Sequence, residues 1–136
     1  MSEPVPGQRI GEYVLEVPLG AGGFSTVWQA RHHAFPDRRV AAKLLHDGAR
    51  RELLRSEAAC LKGLSHEGIA RAIGLDVDHD PPYLLVELHQ GRDLRQLLKT
   101  TTLSPERVEG IFRQLAAALA HAHQQGVAHG DLKPEN

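Results

Sequence analysis

The order of apolar and polar positions splits the chain into a strand-rich half and a helical half. From Glu12 the run Tyr13-Val14-Leu15-Glu16-Val17-Pro18-Leu19 reads as a strand, and it breaks at Gly20-Ala21-Gly22-Gly23. Phe24-Ser25-Thr26-Val27-Trp28-Gln29-Ala30 follows as a second strand, so the three stretches make a hairpin. Phe35-Pro36-Asp37 is a turn. Arg39-Val40-Ala41-Ala42-Lys43-Leu44-Leu45 is a third strand, with Lys43 in an otherwise apolar run. Between Ala49 and Leu64 the period changes: Leu53, Leu54, Ala58, Leu61 and Leu64 recur at helical spacing. Two more strands are expected within 69–77 and 83–88, split by Asp78-His79-Asp80-Pro81-Pro82.

Beyond Gly91 the pattern is helical. Asp93 can cap a short helix through Lys99. Ser104 is an N-cap and Pro105 suits the first position of a longer helix. Its apolar stripe is Val108, Ile111, Phe112, Leu115, Leu119 and Ala122, and Gly126 is its C-terminal cap. Arg107 stands where a capping box needs Glu or Gln, so that box is absent. The helix leads into a polar loop, His129-Gly130-Asp131-Leu132-Lys133-Pro134-Glu135-Asn136. Residues 1–11 are polar, carry two prolines and read as a flexible lead.

Composition narrows the class. A length of 136 residues fits one domain, and 41% hydrophobic residues supply a core, but aromatics are only 4%, so it rests on Leu, Val, Ile and Ala. Sixteen basic and seventeen acidic residues give a net charge of -1, which predicts neither nucleic acid nor an anionic membrane as partner. The single Cys60 forms no internal disulfide and suits a reducing compartment. No signal pattern opens the chain, and no apolar run approaches the roughly 20 residues of a membrane span. A cytoplasmic protein is the expectation. The nine His are scattered. His121 and His123, two apart on a helix, point to different faces, so no metal site is expected from them.

Four stretches carry chemistry. Gly20-Ala21-Gly22-Gly23 leaves room for a ligand to press on the backbone, whose N–H groups can face phosphate oxygens; a plain hairpin turn explains it equally. A dinucleotide fold is excluded, because Ser25 stands where a third Gly belongs and Val27-Trp28 continue as strand. Lys43 needs either water or an acid, and Glu57 on the next helix would satisfy both members of a pair. Backbone groups of Val86-Glu87-Leu88-His89, at a strand end, can bond a flat heterocycle or simply end a strand. In the last loop Asp131 can accept a proton, Lys133 can neutralise a phosphate, and the Asn136 carbonyl can hold a cation.

Taken together and in this order, the residues resemble the eukaryotic-like (bacterial Hanks-type) serine/threonine protein kinase family. Leu19-Gly20-Ala21-Gly22-Gly23-Phe24-Ser25-Thr26-Val27 is similar to its glycine-rich loop, and Val40-Ala41-Ala42-Lys43 to its third-strand lysine motif. Glu57 precedes Ser65-His66-Glu67-Gly68-Ile69 as the family's helix acid precedes its following His. Tyr83 to Leu88 resembles the fifth strand and hinge, with Val86 as gatekeeper. His129 to Asn136 resembles the catalytic loop.

The resemblance implies an α+β fold: a kinase small lobe over 12–90, a five-stranded antiparallel sheet plus one helix, then the first helices of the large lobe over 91–136. It implies transfer of a phosphoryl group from Mg-ATP to a Ser or Thr hydroxyl of a protein. Asp131 and Lys133 would be catalytic and Asn136 would bind Mg2+. Leu19, Gly20, Ala21, Gly22, Gly23, Phe24, Val27, Ala41, Lys43, Glu57, Val86, Glu87 and His89 would bind ATP. Lys133, two residues after the Asp, points to the serine/threonine branch.

Three departures modify that expectation. Ser25 replaces the third loop glycine. Gly130 replaces the Arg that can pair with a phosphorylated activation loop, which removes that switch; the same change makes His129-Gly130-Asp131-Leu132 similar to small-molecule kinases of the aminoglycoside phosphotransferase type. The sequence also ends at Asn136 without the family's Asp-Phe-Gly motif. The expectation is therefore an N-terminal kinase fragment that is inactive alone. A non-catalytic nucleotide-binding module and a small-molecule kinase are the alternatives. The 111–119 stripe would lack cover and promote self-association.

Overall fold

The computed structural model describes residues 3–128, the side chain of Ala49 excepted. The catalytic-loop expectations on Asp131, Lys133 and Asn136 lie outside the described residues. The chain forms two compact units: Met1–Lys62 with Ala70–Leu88, and Gly63–Ile69 with His89–Asn136.

The first unit is a six-stranded sheet with one α-helix. Its strands are β1 (Arg9–Ile10), β2 (Tyr13–Ala21), β3 (Ser25–His32), β4 (Arg39–Leu45), β5 (Ala72–Asp76) and β6 (Tyr83–Glu87). They lie in the order β1-β2-β3-β4-β6-β5, and every pair is antiparallel. A 3-10 turn at Gly48–Arg50 leads into α1 (Arg51–Lys62).

The sheet has one strand more than expected, because part of the lead is structured. Ile10 pairs with Tyr13 across the two-residue turn Gly11-Glu12 and is fully buried. Gly11 sits at φ 57, a left-handed conformation that glycine adopts without strain. The sequence Ile-Gly-Glu-Tyr has the apolar–turn–apolar form of a hairpin, masked by the prolines before it.

Alternation along the strands makes a sheet with two different faces. Ile10, Tyr13, Leu15, Trp28, Ala30, Val40, Ala42, Leu44, Tyr83 and Leu85 form one apolar cluster. Leu45 and Leu84 on the other face receive Leu54 of α1, with Ala58, Leu61, Ala72 and Val86 packed around them. The helical spacing of Leu54, Ala58 and Leu61 is thus the buried face of α1. Leu53, expected on the same stripe, points outward and is 58% exposed. The expected strand within 69–77 is shorter at both ends, and its pairing with β6 is offset between Ala72 and Gly74.

The second unit holds α2 (Leu94–Thr100) and α3 (Pro105–Gln124). Asp93 caps α2 and forms a full capping box with Gln96. At α3 the Ser104 side chain accepts from Arg107 N, with no reciprocal bond, and Pro105 opens the helix. Gly126, at φ 76, closes it: Gly126 N donates to His123 O and Val127 N to Ala122 O. That is the double bond of a Schellman stop. The segment 63–69 is tied to α3 by Ser65 N donating to His121 Nε2 at 3.2 Å, with the His66 and His121 rings 5.4 Å apart.

Candidate functional site

Strand register builds the site. Val27 lies opposite Lys43, and Ala41 lies opposite Val86. Directly opposed residues share a face, so these four line the same side of the sheet as α1. Lys43 breaks the apolar run of β4 on that side, and its Nζ donates to Glu57 Oε2 at 2.7 Å. The ion pair joins sheet to helix. It is also open: the two side chains keep 32% and 42% exposure, so further polar atoms have access to the ammonium.

The glycine turn crosses from β2 to β3. Its pairing slips twice on approach, between Leu15 and Val17 and between Pro18 and Gly20, which bends the hairpin at its tip. The turn itself is closed by Gly22 N donating to Ser25 O at 2.8 Å. None of Gly20, Gly22 and Gly23 has a positive φ. A Cβ added at Gly20 or Gly23 would meet open space, and at Gly22 only Ser25 O at 3.8 Å. Neither backbone geometry nor packing demands glycine there. What the missing side chains provide is unobstructed backbone at an exposed turn.

Other expected residues fall in different surroundings. Leu19 and Phe24 are exposed, and the Arg50 guanidinium lies 3.7 Å from the Phe24 ring centroid, a cation–π contact. Sequence reasoning missed Arg50, which lies in the 3-10 turn just before α1 although the helical pattern was expected from Ala49. Glu87 turns its carboxylate toward Arg71 and its N–H to Arg71 O, so its side chain is engaged at the sheet edge. His89 begins the second stretch of the second unit.

Not all the His are scattered. Ligating atoms of Glu12, His32 and His33 lie within 4.8 Å of one another. His33 Nε2 is 2.6 Å from Glu12 Oε2, and this bond with the adjoining charge holds the Glu12 carboxyl below its ordinary value. His32 Nδ1 accepts from Ala34 N and Phe35 N. With that lone pair used, a neutral His32 carries its proton on Nε2 and has no free nitrogen for a metal. The cluster fastens the start of β2 to the end of β3.

A family model described as "Protein kinase domain" matches residues 13–136, and the chain belongs to that family. The similar proteins are named as serine/threonine-protein kinases. It is 35% identical over 136 residues to serine/threonine-protein kinase ULK3 of Mus musculus, covering 94% of this chain and 28% of that protein. It is 32% identical over 137 residues to PrkC of Bacillus subtilis, covering 96% of this chain and 21% of that protein. The chain thus spans less than a third of the length of these relatives. Among solved structures, the PknI kinase domain of Mycobacterium tuberculosis superposes with a TM-score of 0.79 at 24% identity, over 99% of this chain and 57% of that one, which shows the fold.

Proposed function

We propose that this chain is the ATP-holding lobe and first part of the catalytic lobe of a serine/threonine protein kinase. The observation that carries the reading is the open Lys43–Glu57 pair on the face shared by Val27, Ala41 and Val86, beside a turn whose glycines the fold does not need. Val27, Ala41 and Val86 offer an apolar surface for the adenine ring. The 86–89 backbone supplies its hydrogen bonds. Lys43, oriented by Glu57, contacts the α and β phosphates, and the 20–23 backbone covers them.

Asp131 orients the Ser or Thr hydroxyl of a protein substrate and accepts its proton, while Lys133 offsets charge on the transferred group. Asn136 fits a hard cation through its amide oxygen, and a bound Mg2+ would neutralise phosphate charge. The 136-residue polypeptide should therefore bind nucleotide through these residues. The exposed thiol of Cys60 supports a reducing, cytoplasmic setting.

The test is calorimetric titration of the polypeptide with ATP and Mg2+, against Lys43→Met. Loss of one charge-assisted contact should weaken binding by about 10- to 100-fold. Binding that is absent in the parent chain, or unchanged by Lys43→Met, refutes the proposal.

A further inference from the structure

Phe24 stands between β2 and β3, immediately after the glycine turn. It belongs to neither apolar cluster of the first unit, and it is 54% exposed. Two contacts tie it to one continuous stretch of chain. His46 N, just past the end of β4, donates to Phe24 O at 2.8 Å. Four residues further on, the Arg50 guanidinium lies 3.7 Å from the centre of the Phe24 ring. The same stretch carries Lys43 on β4 and Glu57 on α1, which are joined by their 2.7 Å ion pair.

The glycine turn is thus fastened to the elements that hold the lysine. The His46 bond fixes only the backbone at Phe24. The Arg50 contact is the adjustable one: both side chains are on the surface, so ring and guanidinium can part without opening the core. Gly20, Gly22 and Gly23 add conformational freedom and hold the turn in place poorly by themselves. A contact from outside the turn is what can restrict it.

We propose that Arg50 is a positioning residue that latches the glycine turn over the nucleotide phosphates through the Phe24 ring. The latch rests on the nucleotide reading given above. The 20–23 backbone covers phosphates only in molecules whose turn is in place. A contact that raises the fraction of such molecules tightens the apparent affinity by the same factor. An adenine base seated on Val27, Ala41 and Val86 does not need the turn, so the latch should favour ATP and not adenosine. An exposed cation–π contact corresponds to about 2- to 5-fold in an equilibrium constant.

Calorimetric titration of the 136-residue polypeptide with Mg-ATP and, separately, with adenosine tests the latch. Arg50→Ala should weaken Mg-ATP binding about 2- to 5-fold and leave adenosine affinity at the parent value. Phe24→Leu removes the ring that the guanidinium holds, so Arg50→Ala in that background should weaken Mg-ATP binding no further. Both positions are exposed, so the melting temperatures should stay close to that of the parent. A parent chain that does not bind both ligands refutes the nucleotide reading, and the latch with it. A parent that binds both, with Mg-ATP affinity unchanged by Arg50→Ala, overturns the latch alone. Equal losses for Mg-ATP and adenosine would make Arg50 a general support of the fold. A further loss in the Phe24→Leu background would mean that the guanidinium meets the phosphates directly. Either of these results also overturns the latch.

Discussion

A lysine ammonium in an apolar strand is costly unless an acid or water reaches it, and Lys43 has both. Partly exposed ion pairs contribute less than about 1 kcal/mol, so the Lys43–Glu57 bond is poorly explained as a stabilising device. Glu57→Gln should accordingly lower unfolding free energy by less than about 1 kcal/mol in urea titration, yet weaken nucleotide binding by more than that. Gly11 is the opposite kind of residue. At φ 57, with a built Cβ only 2.5 Å from Tyr83 Oη, it cannot take a side chain without strain, and Gly11→Ala should cost about 1–3 kcal/mol by the same titration. Glu12 gives a pH prediction. Its folded pKa is lowered, first by the hydrogen bond to His33, so its contribution is present above the ordinary value of 4.5 and is lost as pH falls through the lowered one. His33→Ala should return the Glu12 carboxylate titration, followed by carbon NMR, toward 4.5. At this scale Lys43 and Glu57 were legible because a charge in an apolar run must be answered nearby. Gly11 and Arg50 were not, since their meaning depends on Tyr83 and Phe24, distant in sequence.

Among the elements, β4 and α3 follow their sequence patterns most closely. The residues Arg39–Leu45 are a strand end to end, and Ser104, Pro105 and Gly126 bound α3 through the capping chemistry their types offer. The pattern was less decisive for α1. Leu53 and Leu54 both fit a helical stripe, and periodicity alone cannot say which one meets the sheet. The structure buries Leu54 to 1% exposure and leaves Leu53 at 58%. Leu54→Ala should cost about 2–5 kcal/mol, whereas Leu53→Ala should stay within about 0.5 kcal/mol, as read by paired urea denaturation. Similar losses for the two would contradict the placement of α1. Its register matters for more than stability, because Glu57 reaches Lys43 only while Leu54, Ala58 and Leu61 keep their places on the sheet.

For the whole molecule, the first unit has two well-filled apolar clusters, whereas α3 buries only Ala118 and Ala122. Larger members of its stripe are open: Val108 is 36% exposed and Phe112 is 60% exposed. Such a surface on a 136-residue polypeptide favours contact with another copy, because each large side chain taken out of water gains about 1.5–3 kcal/mol. Sedimentation velocity from low to high micromolar concentration should show reversible self-association, and Phe112→Glu should shift it toward monomer. The exchange is at an exposed position, so it should leave the unfolding midpoint nearly unchanged. A parent chain that stays monomeric throughout the range would remove α3 as an associating surface. A Phe112→Glu chain that associates as strongly as the parent would move the contact elsewhere, with Ile73 and Leu75 of β5, 50% and 40% exposed at the open edge of the sheet, as the next surface to change.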